Sequence, residues 1–189
     1  MPRVDNSVFY NASLQKYGLT PQGVHWNTPF NQRVRFKELL KLVREPLECV
    51  SLADAGCGFA DLYTYMTPKP KDYVGFDLME AMVIEARVRS GCKILHLNML
   101  EDALPEADYY LCSGSMNTFS RFETQLFIKR ALQHAHKGFV FNILKGKDES
   151  LVYNYYEPHE IRAIAKEEGV TCKIVTGYLP RDMSVGLYK

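Results

Sequence analysis

Asp54-Ala55-Gly56-Cys57-Gly58-Phe59-Ala60 sets a carboxylate directly before a glycine-rich turn, and the apolar run Val50-Ser51-Leu52-Ala53 leads into it. Glycines let a backbone take positive φ and approach a ligand closely, and a helix opening just beyond such a turn offers unpaired N–H groups. This is the make-up of a loop for a nucleotide-type cofactor. The acid decides the ligand class, because it repels a pyrophosphate and attracts a ligand that carries positive charge. A dinucleotide loop of the form G-x-G-x-x-G would need Gly or Ala at position 61 once Gly56 and Gly58 are aligned, and Asp61 stands there. A glycine pair after a strand also makes a plain tight turn, so the loop takes its meaning from the residues at the ends of the other strands.

Asp77 closes the next apolar run, where an acid can accept both hydroxyls of an adenosine ribose or cap the next helix. Leu78 and Met79 are placed to pack on an adenine face, and Met82 joins them among the expected contacts. Farther on, Leu97-Asn98-Met99-Leu100 offers an amide oxygen on Asn98 for an adenine amine, with Met99 and Leu100 beside the ring; Asn98 would serve equally well in a turn. Cys112-Ser113-Gly114-Ser115 is a run of small residues that lets carbonyls approach a cationic group. Taken together with Asp54, Gly56, Cys57 and Gly58, these positions suit S-adenosyl-L-methionine, which carries an ammonium and a sulfonium and no phosphate.

The elements that must hold these residues are short apolar runs alternating with helical-period segments, the pattern of a mostly parallel sheet covered on both faces. Strands are expected at Val50 to Ala53, Tyr73 to Phe76, Lys93 to Leu97, Ala107 to Cys112, Phe139 to Leu144, Cys172 to Tyr178 and Ser184 to Tyr188. Helices are expected at Asp61 to Met66, Met79 to Arg89, Glu123 to Ala135 and Pro158 to Glu168. The linker Leu179 to Met183 is too short for a crossover helix, so the last two strands form an antiparallel hairpin. The expected fold is α/β: a Rossmann-like, mostly parallel seven-stranded sheet with an antiparallel C-terminal hairpin and helices on both faces. One domain is expected, with residues 1–45 as a helical cap or lid and 46–189 as the core. The segment Lys145 to Tyr156 reads as a mobile loop.

With 189 residues, 47% hydrophobic and 24% charged, the chain can bury a core unaided, and its net charge of +1 gives no electrostatic case for a nucleic-acid partner. Cys49, Cys57, Cys92, Cys112 and Cys172 show no zinc-type spacing and read as reduced thiols, so no metal is expected. The first residues lack an apolar signal-type run and no later run is long enough to span a membrane, which makes the cytoplasm the expected location and no membrane partner expected.

On these residues the chain resembles a class I S-adenosylmethionine-dependent methyltransferase, whose acid-x-G-x-G-x-G loop it matches at Asp54, Gly56 and Gly58, with Ala60 at the third glycine. More narrowly it resembles a little-characterised bacterial group with motifs S-Q-E-x-R-F, S-G-x-x-N, F-N-L-L and Y-L-P-x-D-x-x-x-x-L-Y-K. Here these are Asn31 to Phe36, Ser113 to Asn117, Phe141 to Leu144 and Tyr178 to Lys189. The resemblance implies that Arg35 pairs with the cofactor carboxylate and that Gln32 bonds beside it; the bare sequence also allows Arg35 a solvated helix face.

Methyl transfer requires alignment more than activation, and a base only where the acceptor must lose a proton. His25, Tyr156 and His159 are the candidate bases, and Tyr10, Tyr17, Trp26 and Phe30 could form an aromatic lid. A small-molecule acceptor is expected, with RNA or protein acceptors as the alternative and a non-catalytic cofactor-binding module as the competing class; the oligomeric state stays open.

Overall fold

The computed structural model describes residues 5–20, 23 and 28–189, without the side chains of residues 6 and 7. Eight strands form one sheet. They are β1 (Ser51–Ala55), β2 (Asp72–Asp77), β3 (Lys93–His96), β4 (Ala107–Ser113), β5 (Ala135–Lys145), β6 (Tyr155–Tyr156), β7 (Thr171–Thr176) and β8 (Asp182–Tyr188). The order is β3-β2-β1-β4-β5-β8-β7, with β6 paired to the end of β5. Every pairing is parallel except those of β8 with β5 and β7. The last strand thus inserts between β5 and β7, giving the mostly parallel sheet with an antiparallel hairpin that the short linker demands.

Period-two alternation sorts the core into two layers. Ala53, Tyr110, Phe139, Phe141, Met183 and Val185 face one side, where helices α5 (Arg121–His134) and α6 (Pro158–Glu167) cover them with Phe127, Ile128, Ala131, Ile161 and Ile164. Leu52, Tyr109, Leu111 and Val140 face the other, beneath α2 (Pro29–Leu40) and α3 (Asp61–Tyr65). Helix α4 (Glu80–Ser90) sets Val83 and Ala86 against Ile94 of β3. Helix α1 (Asn6–Tyr17) lays Tyr10 and Leu14 on Phe59, Met79 and Met82.

Local chemistry explains the boundaries. α5 starts ahead of the expected Glu123 because Ser120 and Glu123 form a reciprocal capping box, each side chain accepting the other's backbone N–H. α2 starts at Pro29 behind Thr28, whose hydroxyl accepts from Asn31 N. α5 runs into β5 with no loop between them, so β5 begins at Ala135 rather than Phe139. The segment expected as a loop, 145–156, contains β6 and is pinned inside by Asn154, which is wholly buried. Its N–H donates to Asn117 O at 2.7 Å, and its Nδ2 to Thr124 Oγ1 at 2.8 Å. Among the described residues, no helix is long and apolar enough to cross a membrane.

Candidate active site

Chain order reverses between β1 and β4: β2 and β3 follow β1 on one side, β4 and β5 lie on the other. Open parallel sheets hold ligands at such a switch point, beyond the carboxyl ends of the strands. A cavity of about 170 Å³ opens there, walled largely by strand ends, α1 and α2.

The glycine loop forms its floor. Gly56 N and Cys57 N both donate to Phe76 O, at 2.9 and 3.0 Å, which ties the turn to the end of β2. Gly56 has φ +73°, and a Cβ there would lie 2.5 Å from Ser115 Oγ, so glycine is required by both conformation and space. Ala60 adopts φ 60° and ψ 30°. A non-glycine residue thus sits in the left-handed region at the position where a third glycine was expected, at a strain of roughly 1 kcal/mol.

Two acids flank the loop. Asp77, at the end of β2, accepts from Gly58 N and from Met79 N, both at 2.9 Å. It makes the turn ahead of α4, whose N-cap is Met79, and stands on the cavity wall. Asp54 is 2% exposed and accepts from the Tyr73 hydroxyl at 2.7 Å. Burial drives its carboxyl up to about 7; the Tyr73 hydrogen bond works against this, and Asp77 and Asp61 add to it. Burial likewise raises Asp77, opposed by its backbone N–H donors. Asp54 is held in a dry wall and Asp77 is partly buried beside it, where a ligand cation would relieve both.

Of the residues that sequence reasoning placed at the cofactor, Gln32, Arg35, Asp54, Gly56, Cys57, Gly58, Asp77, Leu78, Met82, Asn98, Met99, Ser113, Gly114 and Ser115 all line this cavity. Leu100 does not; it turns into the core, and its N–H donates to Asn98 Oδ1 at 2.9 Å, so the Asn98 side chain makes the turn while standing at the wall. Gln32 Nε2 donates to Asp61 Oδ2 at 2.9 Å. Arg35, expected to meet a ligand carboxylate, is ion-paired through Nε with Asp182 at the cavity wall.

The candidate bases fare differently. Tyr156 is 2% exposed, does not line the cavity, and lies under the Arg121 guanidinium, 3.7 Å from its ring centroid. It sits on β6 beside the carboxyl end of β5 and belongs to the core under α5 and α6. His159 is exposed on the first turn of α6 and is not at the cavity. His25 and Trp26 lie outside the described residues. Of the expected lid, Tyr10 lines the cavity, whereas Phe30 is 70% exposed and Tyr17 stands clear of it.

Sequence reasoning missed Phe9, Asp61, Phe119, Phe127 and Tyr153, all of which line the cavity. Asp61 was legible as the first residue after a glycine loop. Tyr153 was not, because it is brought over the site by the long-range bonds of Asn154.

No protein-family model and no curated protein matches the sequence. Solved structures do match in fold. Magnesium protoporphyrin IX methyltransferase (ChlM) from Synechocystis with bound SAM aligns at TM-score 0.73 and 15% identity over 98% of each chain. The DhpI-SAM-HEP complex aligns at 0.75 and 11% identity, covering 96% of this chain and 94% of that one. An S-adenosylmethionine-dependent methyltransferase from Clostridium acetobutylicum aligns at 0.69 and 15% identity, over 95% and 98%. The shared property at these identities is the methyltransferase-type Rossmann-like fold.

Proposed function

We propose that the chain is an S-adenosyl-L-methionine-dependent methyltransferase acting on a small-molecule acceptor. The observation that carries this reading is the convergence of Asp54, the Gly56–Gly58 loop and Asp77 on one cavity at the switch point, in a fold whose solved neighbours include SAM-bound methyltransferases.

In this reading Asp77 takes the ribose hydroxyls, and Leu78, Met79, Met82 and Met99 enclose the adenine with Asn98 at its edge. Asp54 and the Gly56 backbone face the ammonium, Arg35 with Gln32 faces the carboxylate, and Ser113, Gly114 and Ser115 line the approach to the sulfur. The cofactor, when bound, supplies a methyl group activated by its sulfonium. The chain's own part is to align the acceptor for in-line displacement and to exclude water. Phe9, Tyr10, Phe119 and Tyr153 provide the apolar and hydroxyl-edged wall for that acceptor. Among the described lining residues, Arg35 is the one cationic side chain beside Asp54, Asp61 and Asp77. That balance repels a polyanion and favours a small acceptor over RNA. The reading takes the chain as one domain, with residues 1–45 as its cap, working in the cytoplasm.

Isothermal titration with S-adenosylhomocysteine tests the cofactor half: one site per chain is expected, with the affinity lost in Asp77→Ala by about a hundredfold or more. S-adenosylhomocysteine released from S-adenosylmethionine with a panel of small acceptors tests turnover. Binding without release for any acceptor, small or macromolecular, would leave a non-catalytic module. Binding of a nicotinamide dinucleotide in place of S-adenosylhomocysteine would sink the whole reading.

A further inference from the structure

Four sequence motifs that lie far apart in the chain meet in one largely buried polar cluster. Ser113, Asn142 and Ser184 are cross-strand neighbours on β4, β5 and β8. Ser113 Oγ donates to Asn142 Oδ1 at 2.9 Å, and Asn142 Nδ2 donates to Ser184 Oγ at 2.7 Å. Ser184 Oγ donates in turn to the Tyr178 hydroxyl at 2.8 Å. Asn142 and Ser184 are wholly buried, in strands whose other residues are mostly apolar or aromatic. Asp182 lies two residues before Ser184, 1% exposed, and pairs with Arg35 of α2. Burial pushes the Asp182 carboxyl up, and Arg35 and the Tyr178 hydroxyl hold it down. The row runs from the cavity residue Ser113 to Tyr178, and beside it the Asp182–Arg35 pair reaches a second cavity residue, with Asp182 Oδ1 buried and making no hydrogen bond.

A polar row through a sheet core is costly unless each member is satisfied, and packing alone would be served better by apolar residues. The Asp182 carboxylate fixes the one long, flexible cationic side chain among the described residues of the cavity wall. An arginine whose Nε edge is already held loses less freedom when its guanidinium meets a carboxylate. Resting on the proposed cofactor, we infer that Asp182 is a positioning residue, holding the Arg35 guanidinium in the orientation that receives the amino-acid carboxylate of the methyl donor.

The test compares two ligands that share the adenosine and thioether but differ at the amino-acid end: S-adenosylhomocysteine, which carries the carboxylate, and 5′-methylthioadenosine, which lacks it. Asp182→Asn should weaken S-adenosylhomocysteine by about tenfold while leaving 5′-methylthioadenosine within about twofold. Arg35→Ala should show the same selectivity, and adding Asp182→Asn to it should cost S-adenosylhomocysteine nothing further, because the two act as one unit. Equal losses for both ligands, no loss for either, or additive losses in the double variant would overturn the inference. Should Asp182→Asn not fold, Asp182→Glu, which keeps the charge and shifts the carboxylate by one methylene, decides by the same comparison. A wild-type protein that binds neither ligand would instead defeat the cofactor reading itself.

Discussion

Asp54 shows how one residue can oppose stability and serve a site. Its carboxyl is held up at about 7 in the fold against an ordinary value of 3.8. The folded chain therefore keeps a proton that the unfolded chain releases, and stability falls as pH rises from about 4 to about 7, then levels off. The full span corresponds to a penalty on the order of 4 kcal/mol. A ligand cation beside the carboxylate would relieve it and expel the proton. Cofactor affinity is thus expected to rise with pH up to about 7, which calorimetry at pH 6 and pH 8 checks through both affinity and proton release. Asp54→Asn, which keeps an acceptor for Tyr73, should raise the ligand-free melting temperature at pH 8 by at least about 4 °C while weakening S-adenosylhomocysteine. A variant no more stable than wild type at pH 8 would show that the carboxylate is not held at a cost. The acid before the glycines was plain in the sequence; its dryness and its Tyr73 partner were not, since they depend on the pairing of β1 with β2.

At the level of elements, the loop between β1 and α3 works because the turn after β4 sets Ser115 directly against Gly56. Gly56→Ala puts a methyl 2.6 Å from Ser115 Cβ and forces a non-glycine residue to φ +73°. The expected cost is about 2–4 kcal/mol of unfolding free energy with loss of the cofactor site, readable by denaturant titration and calorimetry. A fully stable, binding-competent variant would mean that the loop and the Ser113–Ser115 turn move independently. Strand and helix positions were largely legible, because alternation, Pro158 and the glycine stops are local signals. β6 was not, being only two residues that pair because Asn154 anchors the preceding loop. The start of α1 shows the same limit: its cap is the side chain of Asp5 accepting from Val8 N, but its value lies in setting Tyr10 and Leu14 over Phe59, Met79 and Met82.

For the molecule as a whole, the last strand is the keystone of the sheet. All seven residues of β8 are buried, and it is hydrogen-bonded on both edges, to β5 and β7. Removing residues 182–189 exposes two inner edges and deletes Met183, Val185 and Leu187 from the core. That loss exceeds the usual net stability of a domain, so a chain ending at Arg181 should show no cooperative melt and no near-ultraviolet circular dichroism. A cooperative transition in that chain would mean that β5 and β7 can close without their partner.

The sequence alone determined the alternation that sorts each strand into two faces, the acid-led glycine turn, the short C-terminal linker and the acid ending β2, since each rests on chemistry within a few neighbours. Only the tertiary structure decided which side chains share the cavity. It drew in Tyr153 and Phe119, turned Leu100 and Tyr156 away, and joined Arg35 to Asp182 across 147 positions of chain. Those outcomes follow from strand register and from buried hydrogen bonds between distant segments, whose energies arise only once the sheet has brought the partners together.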